Sequence, residues 1–381
     1  MQIKELKARG IKNSRKEAAI EVIINKKYSA SAPSGASTGT HEVRSFPKKG
    51  IRYAIEKVNK YNFKELKFEK FKDLEILDAY IKSWGGNTVV ALQSAILKAM
   101  AKGNVWKFLN PKAKVLPTPL GNCIGGGAHT KLESIDIQEF LLIPKAKTFK
   151  EKVKINRKVY DMIGKQLKLK KKTDEGAFIS NESTITTLKF MTEYMEQIKK
   201  TKGWDVSLGV DIAASQFYKK GKYNYRNFWE NEKRIVSRKE QINIVNNWIK
   251  DYNLKYVEDP LEEEDFRGFA KLNQKTLICG DDLITTNIDR FKKAITKKAV
   301  NAIIIKPNQI GSLVKTKELV DFARKNRIKT IISHRSGETM DPIISHLAVA
   351  WKIPYIKTGI YGKEREIKLQ ELIKIERQIK A

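Results

Sequence analysis

The chain has 381 residues, 41% hydrophobic and 31% charged, which is enough apolar material for a large core and excludes an intrinsically disordered chain. Lys and Arg number 75 against 43 Asp and Glu, a formal charge of +32. The lysines are spread from Lys4 to Lys380 rather than gathered with arginines and aromatics, so the excess reads as a solvated lysine-rich surface and not as a specific nucleic-acid interface, although it would attract small anionic substrates.

The N-terminal MQIKELKARG lacks an apolar signal-peptide core, and no run approaches the roughly 18 apolar residues of a membrane helix. We therefore expect a soluble, cytoplasmic protein with no membrane partner. Residues 17–25 (EAAIEVIIN) read as a strand, and the Gly/Ser-rich stretch from Ser29 to Glu42 reads as a long flexible loop. From Gly50 to about Leu109 apolar residues recur at three and four positions, as in Ile51, Ala54, Ile55 and Val58, which is the helical period. Cys123 and Cys279 each stand alone in apolar surroundings, so buried reduced thiols are expected and neither a disulfide nor a zinc site.

After Pro117 short apolar runs alternate with amphipathic stretches such as Glu240–Asp251 and Leu313–Asn326, the βαβ pattern of a parallel sheet. The runs are FLLIP, SLGVDIA, KYVEDP, TLICGDD, NAIIIKP, TIISHRS and YIKTG. Their polar end residues Asp211, Glu258, Asp281, Lys306, His334 and Lys357 are spaced by 47, 23, 25, 28 and 23 residues. Four of these intervals fit one strand plus one crossover helix, and the longest leaves room for an extra hairpin, YKKGKYNYRNFW. In a (β/α)8 barrel such end residues converge on the mouth where the chemistry is done.

Three carboxylates ending successive strands form a hard-oxygen donor set suited to Mg²⁺, because like charges gathered in one mouth need a cation to compensate them. Asp259 and Asp282, next in sequence to two of these acids, read instead as caps of the following helices or partners of surface lysines. A lysine beside a dication has its pKa depressed and can act as a neutral base, the role open to Lys306 and Lys357.

The segments SAPSGASTGTHE, NCIGGGAH, IQEFLLIP, DEGAFISN, LGVDIAASQFY, YVEDP, GDDLITTN, KPNQIGS, SHRSGET and IKTG occur in the order of the signatures of enolase, and by them the chain resembles that family over nearly its whole length. The resemblance implies an N-terminal α+β domain at 1–113, a modified TIM-type barrel at 114–381, and a hydro-lyase that reversibly dehydrates 2-phosphoglycerate to phosphoenolpyruvate in glycolysis and gluconeogenesis. The superfamily pattern is a Lys or His base with one or two Mg²⁺ ions; two per site are implied here. By the same resemblance Asp211, Glu258 and Asp281 match the ligands of the first ion, and Ser37 of the GAST stretch helps hold the second. Lys306 matches the base at C2. Glu175 matches the acid at the C3 hydroxyl, with Glu139 beside it. Lys357 matches the lysine on the substrate carboxylate, Arg335 and Ser336 the phosphate pair, and His129, His334 and Gln138 pocket residues.

Some positions depart from the family pattern. NSRKEAAIEV keeps Ser14, Arg15 and Glu21 but loses a Gly-Asn-Pro turn, KIERQ puts Arg377 where an acid is usual, GIYGKER replaces a TGAPARSER-like stretch, and Ala177 stands for Gly. None of these changes removes a reacting group. Family members pair their two ends across a dimer through salt bridges at the equivalent of Arg9, so the resemblance implies a homo-oligomer, a dimer or higher, whose interface is altered because Arg377 opposite Arg9 would be repulsive. Two rivals remain at this stage, an acid dehydratase of the same superfamily and a polyanion-binding paralogue. The phosphate-matching segments oppose the first, and the intact set of Lys306, Glu175 and three metal-matching acids opposes the second.

Overall fold

The structure, a computed structural model, describes residues 1–35, 41–230 and 232–380. An antiparallel meander of β1 (Leu6–Lys12), β2 (Ala18–Ile24) and β3 (Tyr28–Ala32) opens the chain. In β2 the alternating Ile20, Val22 and Ile24 are fully buried, the period-two pattern of a half-buried sheet. β3 takes Ser29 to Ala32 out of the segment expected to be loop, because Ala30 and Ala32 are small apolar residues that the neighbouring helix can cover. That helix, Gly86–Met100, is buried nearly all round. It packs against β2 and β3 and also against the short helix Pro307–Ile310 and the helix Leu313–Lys325 of the barrel.

The rest of the chain forms an eight-stranded closed barrel. The barrel strands are β4 (Thr118–Gly125), β5 (Glu139–Lys145), β7 (Asp205–Asp211), β11 (Tyr256–Glu258), β12 (Leu277–Gly280), β13 (Ala302–Ile305), β14 (Lys329–Ser333) and β15 (Tyr355–Lys357), with β15 pairing back onto β4. The short β6 (Phe178–Ile179) adds to β4 at the mouth. The expected extra hairpin is present as a small sheet of β8 (Tyr218–Lys219), β9 (Lys222–Tyr225) and β10 (Arg234–Ser237).

One expectation is corrected: β5, the FLLIP strand, runs antiparallel to both β4 and β7, while the other barrel pairings are parallel. The reversal has a direct consequence for the site. A parallel strand delivers its last residues to the mouth, whereas β5 delivers its first, Glu139, which lies level with Asp211 at the end of β7.

Helices between strands start on sequence-encoded caps. Thr148 accepts from Glu151 N at 3.1 Å and Glu151 answers to Thr148 N at 3.2 Å, and Ser237 with Glu240 repeats this at the helix Arg238–Asp251. Inside the barrel Leu120, Leu141, Tyr256, Cys279, Ala302, Ile304 and Ile331 form a closed layer, so the mouth has a floor and not a channel. Both cysteines are buried free thiols, as expected. No helix among the described residues is long and apolar enough to cross a membrane.

Candidate active site

The polar strand-end residues rise from that floor into a partly open cavity, and Asp211, Asp281, Lys306, His334 and Lys357 all line it. Glu258 sits just below, fully buried. Asp211, Glu258 and Asp281 follow from the adjacent strands β7, β11 and β12. Lys306 follows β13, which lies across the barrel from β5 and its Glu139. His129, Gln138, Glu139 and Glu175 complete one wall, with Arg335 and Ser336 on another. Ser37 lies outside the described residues.

Glu175 does not end a barrel strand. The chain turns back on itself between Thr173 and Ala177, with Thr173 N donating to Ala177 O at 2.8 Å, and the turn needs Gly176 at φ +82. This turn pushes Glu175 into the mouth between two histidines. His334 Nε2 is 3.3 Å from Glu175 Oε2, and His129 Nδ1 is 3.6 Å from Oε1 and 3.2 Å from Asp174. Arg15 pairs with Asp174, and Ser14 Oγ donates to Ser336 O at 3.0 Å. Two of the residues kept in the divergent N-terminal motif, Ser14 and Arg15, therefore tie the small sheet to the mouth.

The Lys357 ammonium occupies the centre, 2.8 Å from Asp211, 2.9 Å from Glu258 and 3.0 Å from Glu139. Burial opposes its charge, but Asp211, Glu139 and Glu258 outweigh burial and hold its pKa well above the ordinary lysine value. Lys306 pairs with Asp281. Burial opposes the Lys306 charge too, and Asp281 with Glu258 more than offsets it, so its pKa is also raised. The sequence reading expected the reverse sign for these lysines. That expectation assumed a dication as neighbour, whereas among the side chains alone each lysine faces carboxylates.

The acids divide. Burial pushes the Glu139 carboxyl up to about 8. Burial would push Glu175 up as well, but His129 and His334 hold it well below the usual carboxylate range. Among the side chains alone the two carboxyls of this pair are thus shifted in opposite directions, Glu139 up and Glu175 down. Burial and the nearby Asp211 drive Glu258 well above its ordinary value.

Two groups of ligand atoms lie within 4.8 Å of one another among the described residues: Asp259 with Asp281 and Asp282, and His129 with Glu139 and Glu175. In the first, Asp259 is committed elsewhere: it caps no helix but accepts Asp281 N at 3.0 Å and Asp282 N at 2.7 Å beyond the end of the adjacent strand. The set Asp211, Glu258 and Asp281 is spread around Lys357 and Lys306, yet its chemistry fits a hard cation. All three are oxygen donors at the ends of neighbouring strands, Asp211 and Glu258 buried and Asp281 half-buried, and Glu258 Oε1 has no hydrogen-bond partner among the described residues.

Three site residues escaped the sequence reading although each lay in a quoted segment. Gln216 donates to Gln138 Oε1 at 2.5 Å and accepts Ala128 N at 3.0 Å, while Gln138 donates to Asp211 at 3.2 Å. Gln309 donates to both Asp281 and Glu42 at 3.3 Å. Glu42 grips Arg335 through two 3.0 Å contacts. In each case the only signal was a polar residue inside a segment otherwise explained.

Over residues 113–381 the sequence matches the family described as Enolase, C-terminal TIM barrel domain. It is 40% identical over 406 residues to the enolase of Methanothermobacter thermautotrophicus, covering 99% of this chain and 97% of that one. The enolase of Methanosphaera stadtmanae is 38% identical over 404 residues, with 99% and 97% covered, and that of Thermoplasma acidophilum is 37% identical over 401, with 99% and 98% covered. With a closed barrel, its one reversed strand and this mouth already in place, agreement along the full length of several relatives settles the family: the chain belongs to the enolases.

Proposed function

We propose that the protein is a magnesium-dependent enolase, a hydro-lyase interconverting 2-phosphoglycerate and phosphoenolpyruvate in glycolysis and gluconeogenesis, with residues 1–113 as its small domain and 114–381 as its catalytic barrel. The observation that carries this reading is the opposition of Lys306 to the Glu139/Glu175 pair across a mouth whose third side is Asp211, Glu258 and Asp281.

The proton at C2 lies next to a carboxylate and is very weakly acidic, so its removal needs both a base and concentrated positive charge for the dianion that forms. Two Mg²⁺ ions held by Asp211, Glu258 and Asp281 and by Ser37 would supply most of that charge. With Asp281 holding a cation, its support of the Lys306 ammonium would be lost, and burial, Arg335 and Lys357, which all oppose that charge, would favour neutral Lys306. Its Nζ takes the C2 proton. Lys357 holds the substrate carboxylate, and Arg335 with Ser336 holds the phosphate. The C3 hydroxyl leaves as water with a proton from the carboxyl pair, Glu175 acting as the acid at that hydroxyl between His129 and His334, with Glu139 beside it. Gln138 steadies Asp211.

We place the protein in the cytoplasm as a homo-oligomer with an altered interface: Arg9 already pairs with Glu21 of its own chain at 2.6 Å, and Arg377 is exposed. The test of function is the ultraviolet absorbance of the enol phosphate with 2-phosphoglycerate and either Mg²⁺ or chelator. A magnesium-dependent rise that Lys306→Ala abolishes is the expected result. No rise from folded wild-type protein at any magnesium concentration refutes the reading.

A further inference from the structure

Tyr256 precedes Glu258 by two residues on β11, so both side chains point into the barrel. The tyrosine belongs to the apolar layer under the mouth, among Leu141, Cys279 and Ile304, and is fully buried. Apolar packing alone has no use for a hydroxyl there, since phenylalanine fills almost the same volume and a buried O–H without a partner is costly. The hydroxyl does have a partner, for it donates to Glu258 Oε2 at 2.6 Å. The same oxygen receives Lys357 Nζ at 2.9 Å. The other oxygen, Oε1, is equally buried and has no hydrogen-bond partner among the described residues.

The fold makes room for this ring. Gly209 on β7 stands opposite Tyr256 in register. A Cβ at 209 would lie 2.9 Å from the Tyr256 Cβ and 3.3 Å from its Cδ1. Gly209 has no positive φ to explain it, so the close approach of the tyrosine accounts for the glycine.

We infer that Tyr256 is a positioning residue that sets the cation selectivity of the site: by occupying Oε2 it presents Glu258 to the metal through Oε1 alone. The inference rests on the reading of Glu258 as a metal ligand. A one-oxygen carboxylate suits Mg²⁺, which demands near-octahedral geometry at about 2.0–2.1 Å, whereas a carboxylate with both oxygens available also suits Ca²⁺, which accepts bidentate ligands and looser geometry. Partners that orient a metal ligand typically change affinity by about 10–100-fold when removed.

The test is calorimetric titration of the full-length chain, stripped with chelator and then dialysed free of it, with Mg²⁺ and separately with Ca²⁺, for wild type, Tyr256→Phe and Glu258→Gln, alongside thermal melts without added metal. The expected result for Tyr256→Phe is a Mg²⁺ affinity lower by about 10–100-fold, a smaller loss for Ca²⁺, and an unshifted melt. Equal losses for both ions together with a lower melting temperature mean a merely structural tyrosine and overturn the inference, as does an unchanged Mg²⁺ affinity. Loss of Mg²⁺ binding in Glu258→Gln with none in Tyr256→Phe overturns the inference while leaving the ligand reading intact. Unchanged Mg²⁺ binding in Glu258→Gln overturns both.

Discussion

Replacing Lys357 by methionine keeps most of the side-chain volume and deletes only the ammonium that sits 2.8–3.0 Å from Asp211, Glu258 and Glu139. Burial already pushes Glu139 up to about 8 and Glu258 well above its ordinary value, so without Lys357 at least one further carboxyl must keep its proton at neutral pH. A carboxyl that ionises near pH 4.3 in the unfolded chain but stays protonated at pH 7 in the folded one costs about 4 kcal/mol, from ~1.4 kcal/mol for each unit of pH between them. This agrees with the ~3–5 kcal/mol typical of breaking a buried ion pair. Because the folded pKa in the variant is raised, its penalty is absent below about pH 4 and grows as pH rises toward the folded pKa. Urea unfolding in chelator at pH 5 and pH 8 should therefore show a small deficit at the lower pH and a large one at the higher. Saturating Mg²⁺ should then recover more stability in the variant than in wild type, since it replaces the missing charge. A deficit that does not change with pH, or none at pH 8, would refute the assignment of Lys357 as the charge balance of this cluster.

Three other outcomes are expected. Lys306→Ala should slow exchange of the substrate C2 hydrogen, followed by NMR in deuterated water, by at least about 10²–10⁴-fold while Mg²⁺ affinity stays near wild type; undiminished exchange would remove Lys306 from the mechanism. Burial opposes the charge on His129, but Glu175 and Asp174 raise its pKa to about 9. Its stabilising contribution in chelator should accordingly be complete below about pH 6.5 and fade as pH climbs through 9, and an imidazole titration near 6.5 by NMR would contradict the pairing with Glu175. Glu376 accepts Phe149 N at 2.7 Å and Lys150 N at 3.1 Å, so Glu376→Ala should cost about 1.5–3 kcal/mol and speed hydrogen exchange in the first turn of the helix Phe149–Gln166. Unaltered exchange there would mean that the C-terminal helix does not cap it.

The barrel was readable because its strands are short and buried and end on polar residues at a regular interval, so periodicity and chemistry repeated the same message six times. The direction of β5 was not. An apolar run such as FLLI has the same pattern of burial whichever way it runs, and its neighbours pair with it in either sense. A signal did exist in the connection: residues 126–138, GGAHTKLESIDIQ, are glycine-rich at their start and carry no helical period, and a parallel return needs a crossover that is usually a helix. The same reversal explains why Glu139, which opens its run, had to be found through resemblance, whereas Asp211 and Lys306 could be found from position alone.

Within the site, groups that meet substrate or cation are legible because their type and spacing are constrained together. Those that act through another residue carry no such spacing. Gln216, Gln309, Glu42 and Tyr256 each touch a first residue that was identified, and each sits where a polar or aromatic side chain has an ordinary explanation. The charge states were harder still, because they depend on a sum. Lysines beside a dication have depressed pKa values, while the side chains alone raise those of both Lys306 and Lys357. These are two balances of one site: Asp211, Glu139 and Glu258 require positive charge, and Lys357 or a cation can supply it. If Asp211 and Glu258 hold a dication as proposed, Lys357 would no longer be needed as the counter-charge of the cluster and its ammonium would be free for the substrate carboxylate. Metal loading and preparation of that lysine would then be a single electrostatic event, and the same exchange at Asp281 would favour neutral Lys306.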